Sequence, residues 1–313
     1  MKVSGQRMSG TARNWFDGVM ENNQPTVATD LTNNGTILVI GGTGKTGRRV
    51  AERLTERGIP VRIGSRNGSP AFDWDTPATW DAALEGISAA YVTYYPDLAF
   101  PGVSELIADF SAAAVAHGVK KIVLLSGRGE DGALASEESV QNSGVAWTIV
   151  RCNWFNQNFN ESFFLGPVLE GVISIPAGDA VEPFIDADDI ADVAVAALTE
   201  PGHDGQVYEL SGPRLLGFHE VAREISIASG REIIYSPVTA AEYEVILAKE
   251  GLPRDFVDLF TLILDGRNAS LTDGVQRALG REPKDFSEFA REAAATGVWA
   301  TADEAVTAGS ASR

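Results

Sequence analysis

From Thr36 onward the chain alternates short, apolar, β-branched runs with longer stretches whose apolar residues recur at helical spacing. Residues 36–40 (TILVI) read as a strand buried on both faces. Residues 45–57 follow as a helix with Val50, Ala51 and Leu54 on one side and Gly58 as its stop. The same reading gives strands at 60–63, 89–94, 121–125 and 145–150. It gives helices around 80–84, over 103–117 with Leu106, Ile107, Phe110 and Ala114 on one face, and around 136–142. Such alternation predicts a doubly wound parallel sheet. Beyond Cys152 the pattern changes. Residues 153–169 are aromatic-rich without a clean period, and a helix over 188–198 precedes a further sheet strand at 206–210. Helices at 218–228 and 240–250 then flank a strand at 232–235. Residues 255–264 are apolar nearly all round, so that helix must be buried, cover a ligand or sit in a subunit interface.

The expected organisation is a loose extension over 1–34, a nucleotide-binding core over 35–155, a mainly substrate-binding region over 156–300 with some strands returning to the sheet, and a tail over 301–313. The extension has no continuous apolar h-region, so it does not read as a signal peptide, although Trp15 and Phe16 offer it a docking arm. No apolar run approaches the ~20 residues needed to span a bilayer.

The most informative segment is Gly41-Gly42-Thr43-Gly44-Lys45-Thr46-Gly47, which follows the first strand directly and opens the first helix. Gly42, Gly44 and Gly47 fit G-x-G-x-x-G. One glycine makes the turn, another lets the backbone approach a pyrophosphate, and a third lets helix and strand pack closely. The helix N-terminus adds free N–H groups and partial positive charge. A Walker A loop would need glycine where Val39 stands, so the Gly44-Lys45-Thr46 run does not make one. The second strand runs into Gly64-Ser65-Arg66, and no acidic residue falls between Glu56 and Asp73. An NAD site would place a carboxylate there for the ribose 2′-hydroxyl. Arg66 stands instead where a cation would meet a 2′-phosphate, so NADP(H) is expected over NAD(H).

Composition narrows the partners. The 313 residues carry 25 Lys and Arg against 43 Asp and Glu, a net charge of −18. That disfavours nucleic acid and anionic membrane surfaces. The single cysteine, Cys152, excludes an internal disulfide and reads as a buried, inert thiol. His117, His203 and His219 are scattered, so no metal is expected. The acidic run Asp186, Asp188, Asp189 and Asp192 reads as the charged start of a helix. These features point to a cytoplasmic protein, monomeric or homodimeric, acting on a small molecule.

Six segments together resemble the NmrA-like atypical short-chain dehydrogenases/reductases: GGTGKTG after TILVI, GSR, FDWDTPATWDAALEG, LLSGRGE, SGVAWTIVRCNWFNQNF, and FIDADDIADVAVAAL with VYELSGP. The similarity spans roughly 36–300 and looks most like the branch that includes the ergot-alkaloid dehydrogenases. It implies a Rossmann fold and a set of cofactor contacts. Gly41, Thr43, Gly44, Lys45, Thr46 and Gly47 would hold the pyrophosphate, and Arg66 the 2′-phosphate. Asp73 and Trp74 would lie beside the adenine. Tyr94, Tyr95, Pro96, Ser126, Gly127, Asn153, Trp154 and Phe155 would border the nicotinamide and its ribose.

The chain departs from ordinary short-chain dehydrogenases in one respect. None of its tyrosines has lysine four residues later, and no lysine occurs between Lys121 and Lys249. The usual Tyr-x-x-x-Lys proton shuttle is therefore missing. Tyr94, Ser126 and Arg128 are the candidate catalytic residues. Tyr95 and Glu130 are further helpers, although Glu130 and Asp131 read first as a solvated loop. The expected function is an NADPH-dependent reductase that passes hydride to a C=N, C=C or C=O bond of a small, largely apolar substrate. The alternative is a dinucleotide-sensing regulator without turnover.

Overall fold

The computed structural model describes residues 35–249, 251 and 254–301; the 1–34 extension with its Trp15–Phe16 arm, Glu250 and the tail from 302 lie outside them. The chain runs β1 (Thr36–Ile40), α1 (Lys45–Glu56), β2 (Val61–Gly64), α2 (Trp80–Leu84), β3 (Ile87–Val92), α3 (Val103–Ala116), β4 (Lys121–Gly127), α4 (Asp131–Gln141) and β5 (Ala146–Cys152). It continues through α5 (Leu165–Glu170), β6 (Val172–Ile173), β7 (Val181–Glu182), α6 (Ala187–Thr199), β8 (Gln206–Leu210), β9 (Leu216–Gly217), α7 (Phe218–Ser229) and β10 (Ile234–Tyr235). The last elements are α8 (Ala240–Lys249), α9 (Asp255–Ile263), α10 (Gly274–Leu279) and α11 (Phe286–Ala295).

Six strands form one sheet in the order β2-β1-β3-β4-β5-β8, parallel throughout. The period of two in β1 explains why both faces are covered. Ile37 and Val39 pack with α1 and α6, while Leu38 and Ile40 pack with α2 and α3 on the opposite face. This is the Rossmann-type α/β architecture that the alternation predicted. The chain leaves β1 for β2 on one side and returns to β3 on the other, so the strand order reverses beyond Ile40 and Val92. In such sheets the crevice outside the carboxyl ends of the strands at that reversal is where a ligand binds.

A second core lies beyond the sheet. It draws Phe159 and Phe164 from the stretch after β5, Phe184, Phe218 from α7, Phe260 from α9, Phe286 from α11, and Trp299. The aromatic run beginning at Trp154 belongs mostly to this core. Trp154 stacks on Phe164 at 6.0 Å and meets Phe260 at 4.9 Å. Helix α9 buries Val257, Phe260 and Ile263 and leaves Leu262 partly exposed. Its Phe256 reaches Phe100, 5.9 Å away in the loop between β3 and α3, so α9 bridges the second core to the sheet.

Two sequence expectations need correction. Helix α4 begins at Asp131, five residues before the expected Ser136. Gly132 permits this, because a methyl there would collide with the Ala99 carbonyl. Glu130, expected in a solvated loop, is buried at 8 % exposure; Asp131 is exposed.

Candidate functional site

The turn between β1 and α1 is set by two glycines. Gly41 has φ +69°, and a methyl on it would strike the Thr93 hydroxyl; a methyl on Gly47 would run into the Gly41 carbonyl. The Gly44 amide closes the turn on the Gly41 carbonyl at 2.8 Å. Helix α1 then starts with Gly44 as its N-cap and no side-chain cap. Its first N–H groups have no side-chain cap, and an anion bound at the start of the helix would satisfy them. Thr43 and Gly44 are exposed, and Thr46 is buried under the turn.

Lys45 leaves this turn toward the stretch that follows β5. Its Nζ donates to Asn158 Oδ1 at 2.9 Å and lies 5.8 Å from the Phe155 ring and 6.0 Å from Phe163. Burial pushes the ammonium down to about 8, against the pull of Glu161. Glu161 is held by Arg48 at 2.6 Å and Arg49 at 2.7 Å, and Arg49 also reaches Asp188. The face of α1 is thus clamped to the 156–161 segment and to the start of α6. There Asp186 caps the helix by accepting from the Asp188 amide, the helix-start role expected of that acidic run.

Arg66 stands at the end of β2, exposed, and among the described residues it has no carboxylate partner. Trp74 packs on Phe110, with its ring 5.6 Å from Tyr94 and its Nε1 donating to the Thr93 carbonyl. The Asp73 carboxylate instead accepts the Asp75 amide within its own turn. Tyr94 is half-buried, whereas Tyr95 projects outward at 81 % exposure.

Several candidates are engaged in internal bonding. Ser126 donates to Glu137 at 2.6 Å, and Glu137 is also bound by Arg151. Arg128 donates to the Ser270 carbonyl at 2.8 Å, the Ser270 hydroxyl at 2.6 Å and Asn153 Oδ1 at 3.2 Å. Asn153 in turn donates to Glu182 at 3.2 Å. Burial lifts the Glu182 carboxyl to about 7, and its Oε1 has no donor. Trp154 turns away into the second core, and Phe155 remains beside Lys45. Cys152 is buried, with its thiol raised well above the usual value by desolvation. Among the described residues no three His, Cys, Asp or Glu side chains cluster as a metal site, and no helix is long and apolar enough to cross a membrane.

The crevice also holds residues that sequence reasoning passed over. Asn158 and Glu161 fix Lys45 and its neighbours; Asn158 lies inside the NWFNQNF run but carries no motif of its own. Asp97 follows the Tyr94-Tyr95-Pro96 stretch and lies close to Glu130; burial holds both carboxyls above their usual range, Glu130 at about 9. No spacing rule pairs residues 33 apart, so only the fold brings them together.

The cradle fits a dinucleotide. It offers a helix N-terminus without a side-chain cap behind a glycine turn, a desolvated ammonium at its edge and, beyond β2, a guanidinium with no carboxylate partner among the described residues.

Comparison with known proteins agrees. A family described as NAD(P)H-binding matches residues 41–201. The chain is 32 % identical over 285 residues to NAD(P)H azoreductase of Xenophilus azovorans, covering 83 % of this chain and 98 % of that one. It is 32 % identical over 281 residues to agroclavine dehydrogenase of Claviceps fusiformis, covering 81 % and 96 %. The crystal structure of Citrobacter sp. triphenylmethane reductase complexed with NADP(H) superposes with a TM-score of 0.65 at 22 % identity, over 82 % of this chain and 99 % of that one.

Proposed function

The chain belongs to the NAD(P)H-binding family, among the NmrA-like atypical short-chain dehydrogenases/reductases, and on that premise we propose that it is an NADPH-dependent reductase of small, largely apolar acceptors. The observation that carries this reading is the glycine turn at the strand-order reversal, with the uncapped start of α1 behind it. Relatives named as an NAD(P)H azoreductase and a clavine dehydrogenase support oxidoreduction of a small organic acceptor, and for this chain the proposed acceptor is a C=N, C=C or C=O bond.

The bound cofactor would supply the hydride. The protein's residues do the rest. The Gly41–Gly47 turn and the first N–H groups of α1 would receive the pyrophosphate, with Lys45 adding its charge. Arg66 would pair with the adenosine 2′-phosphate, which favours NADPH over NADH. Phe155 and Tyr94, on the loops after β5 and β3, would border the nicotinamide end. Helix α9, through Phe256 and Phe100, would exclude water from the acceptor.

The test is acceptor-dependent oxidation of NADPH, screened against azo dyes, quinones and cyclic imines. The reading predicts turnover with at least one class and weaker use of NADH. Tight NADPH binding with no turnover of any acceptor would favour the regulator instead.

A further inference from the structure

The strand order assigns the two ends of a bound dinucleotide to opposite sides. Arg66 follows β2, on one side of the reversal, so the nicotinamide end falls on the other, over the carboxyl ends of β3, β4 and β5. Helix α9 and the irregular segment 264–273 behind it touch all three of those ends. Phe256 meets Phe100 after β3 at 5.9 Å, and Phe260 meets Trp154 after β5 at 4.9 Å. Phe260 also lies 5.6 Å from Phe163, whose ring is itself 6.0 Å from Lys45 Nζ. After β4 the contact is polar and runs both ways. The Arg128 guanidinium donates to the carbonyl and hydroxyl of Ser270 and, at 3.4 Å, to the Asn268 carbonyl. The Arg128 carbonyl in turn accepts from Asn268 Nδ2 at 3.1 Å. Arg267 donates to the Gly129 carbonyl at 3.0 Å, and Asn268 is buried although it sits in an irregular segment. The same guanidinium reaches Asn153 Oδ1 just past β5, so one side chain ties 264–273 to two strand ends.

We propose that Arg128 is a positioning residue that latches α9 and its following segment over the acceptor end of the site, and so sets acceptor affinity without acting on the reacting atoms. The proposal rests on the reductase reading above. The latch needs a fork. Arg128 divides its donors among Asn153, Asn268 and Ser270, which a planar guanidinium can do and a compact ammonium cannot. Charge by itself does not replace it. An acceptor that binds under a loosened α9 must also order that segment, which weakens binding and leaves the chemical step alone.

The first readout is hydrogen exchange on the nucleotide-free, full-length protein. The Ala269 and Thr272 amides are bonded to the Gly266 carbonyl and the Ser211 hydroxyl. Both should exchange faster in Arg128→Lys and in Asn268→Ala, with the amides of β4 unchanged. Exchange at 264–273 that matches wild type in either variant overturns the latch. The second readout is steady-state kinetics with NADPH and a quinone. Both variants should raise the quinone KM about fivefold or more, the scale of one or two lost hydrogen bonds, with kcat and NADPH affinity within about twofold of wild type. A role at the reacting atoms would instead lower kcat in Arg128→Ala and spare it in Arg128→Lys, which keeps the charge. That pattern, or an unchanged quinone KM in either variant, overturns the latch and leaves the reductase reading standing. Should Arg128→Lys not fold, Asn268→Ala, which leaves the guanidinium in place, decides by the same criteria. A wild type that fails to bind NADPH, or that binds it and reduces no acceptor, overturns the reductase reading and the latch with it.

Discussion

Lys45 Nζ sits 2.9 Å from Asn158 Oδ1, which joins the first residue of α1 to the segment that follows β5. The ammonium is desolvated there, and among the described residues its hydrogen-bond partner is this one neutral acceptor. A phosphate arriving at the start of α1 would give it a far better partner, since charge-assisted hydrogen bonds contribute about twice as much as neutral ones.

Lys45→Met should therefore weaken NADPH binding by about 10-fold or more, on the ~1.5–3 kcal/mol scale of a charged hydrogen bond. In the wild type the affinity should also fall as pH rises through about 8, because the free protein's Lys45 loses its charge there. Calorimetric titrations at pH 7 and pH 9 check both, and an unchanged affinity in the variant would remove Lys45 from the site.

Gly47→Ala places a methyl against the Gly41 carbonyl, which belongs to backbone and cannot swing aside. Overpacking of this kind costs about 1–3 kcal/mol. The expected outcome is a lower melting temperature together with loss of NADPH binding. Gly58→Ala, at a positive-φ position with open space around it, should lower stability and leave binding intact.

Glu130 makes a prediction for stability against pH. Burial and the Asp97 charge raise its folded value from the ordinary 4.5 to about 9. A carboxyl raised on folding stabilises the protein fully below its unfolded value. That contribution is lost as pH rises from about 4.5 toward 9, because the unfolded state releases the proton first. The wild type should thus lose stability relative to Glu130→Gln across that window, and the two should converge at low pH. Melting curves of both proteins from pH 5 to pH 9 measure the difference directly, and parallel curves would contradict it.

Much of this was legible in the sequence. The apolar runs TILVI and KIVLL announce strands buried on both faces, and the glycine turn announces what the first strand leads into. Local chemistry carries that information. Burial of a polar loop does not show locally. The stretch Gly129-Glu130-Asp131-Gly132 looks solvated, yet Gly132 lets α4 abut the Ala99 carbonyl and carries Glu130 inside. The aromatic run from Trp154 was ambiguous for a related reason. Without a clean period its partners, Phe164, Phe218 and Phe260, are set by tertiary packing. The engagement of Ser126 by Glu137 and of Arg128 by Ser270 likewise depends on long-range folding.

The most direct test of the central claim is a titration of nucleotide-free protein with NADPH and with NADH, in the wild type and in Arg66→Ala, followed by melting temperature. A ligand that binds the folded state stabilises it by RT ln(1 + [L]/Kd), about 2.7 kcal/mol at a hundredfold excess over Kd. The account predicts a clear rise with NADPH, a smaller rise with NADH, and loss of the difference between them in Arg66→Ala. No rise with either nucleotide would contradict it.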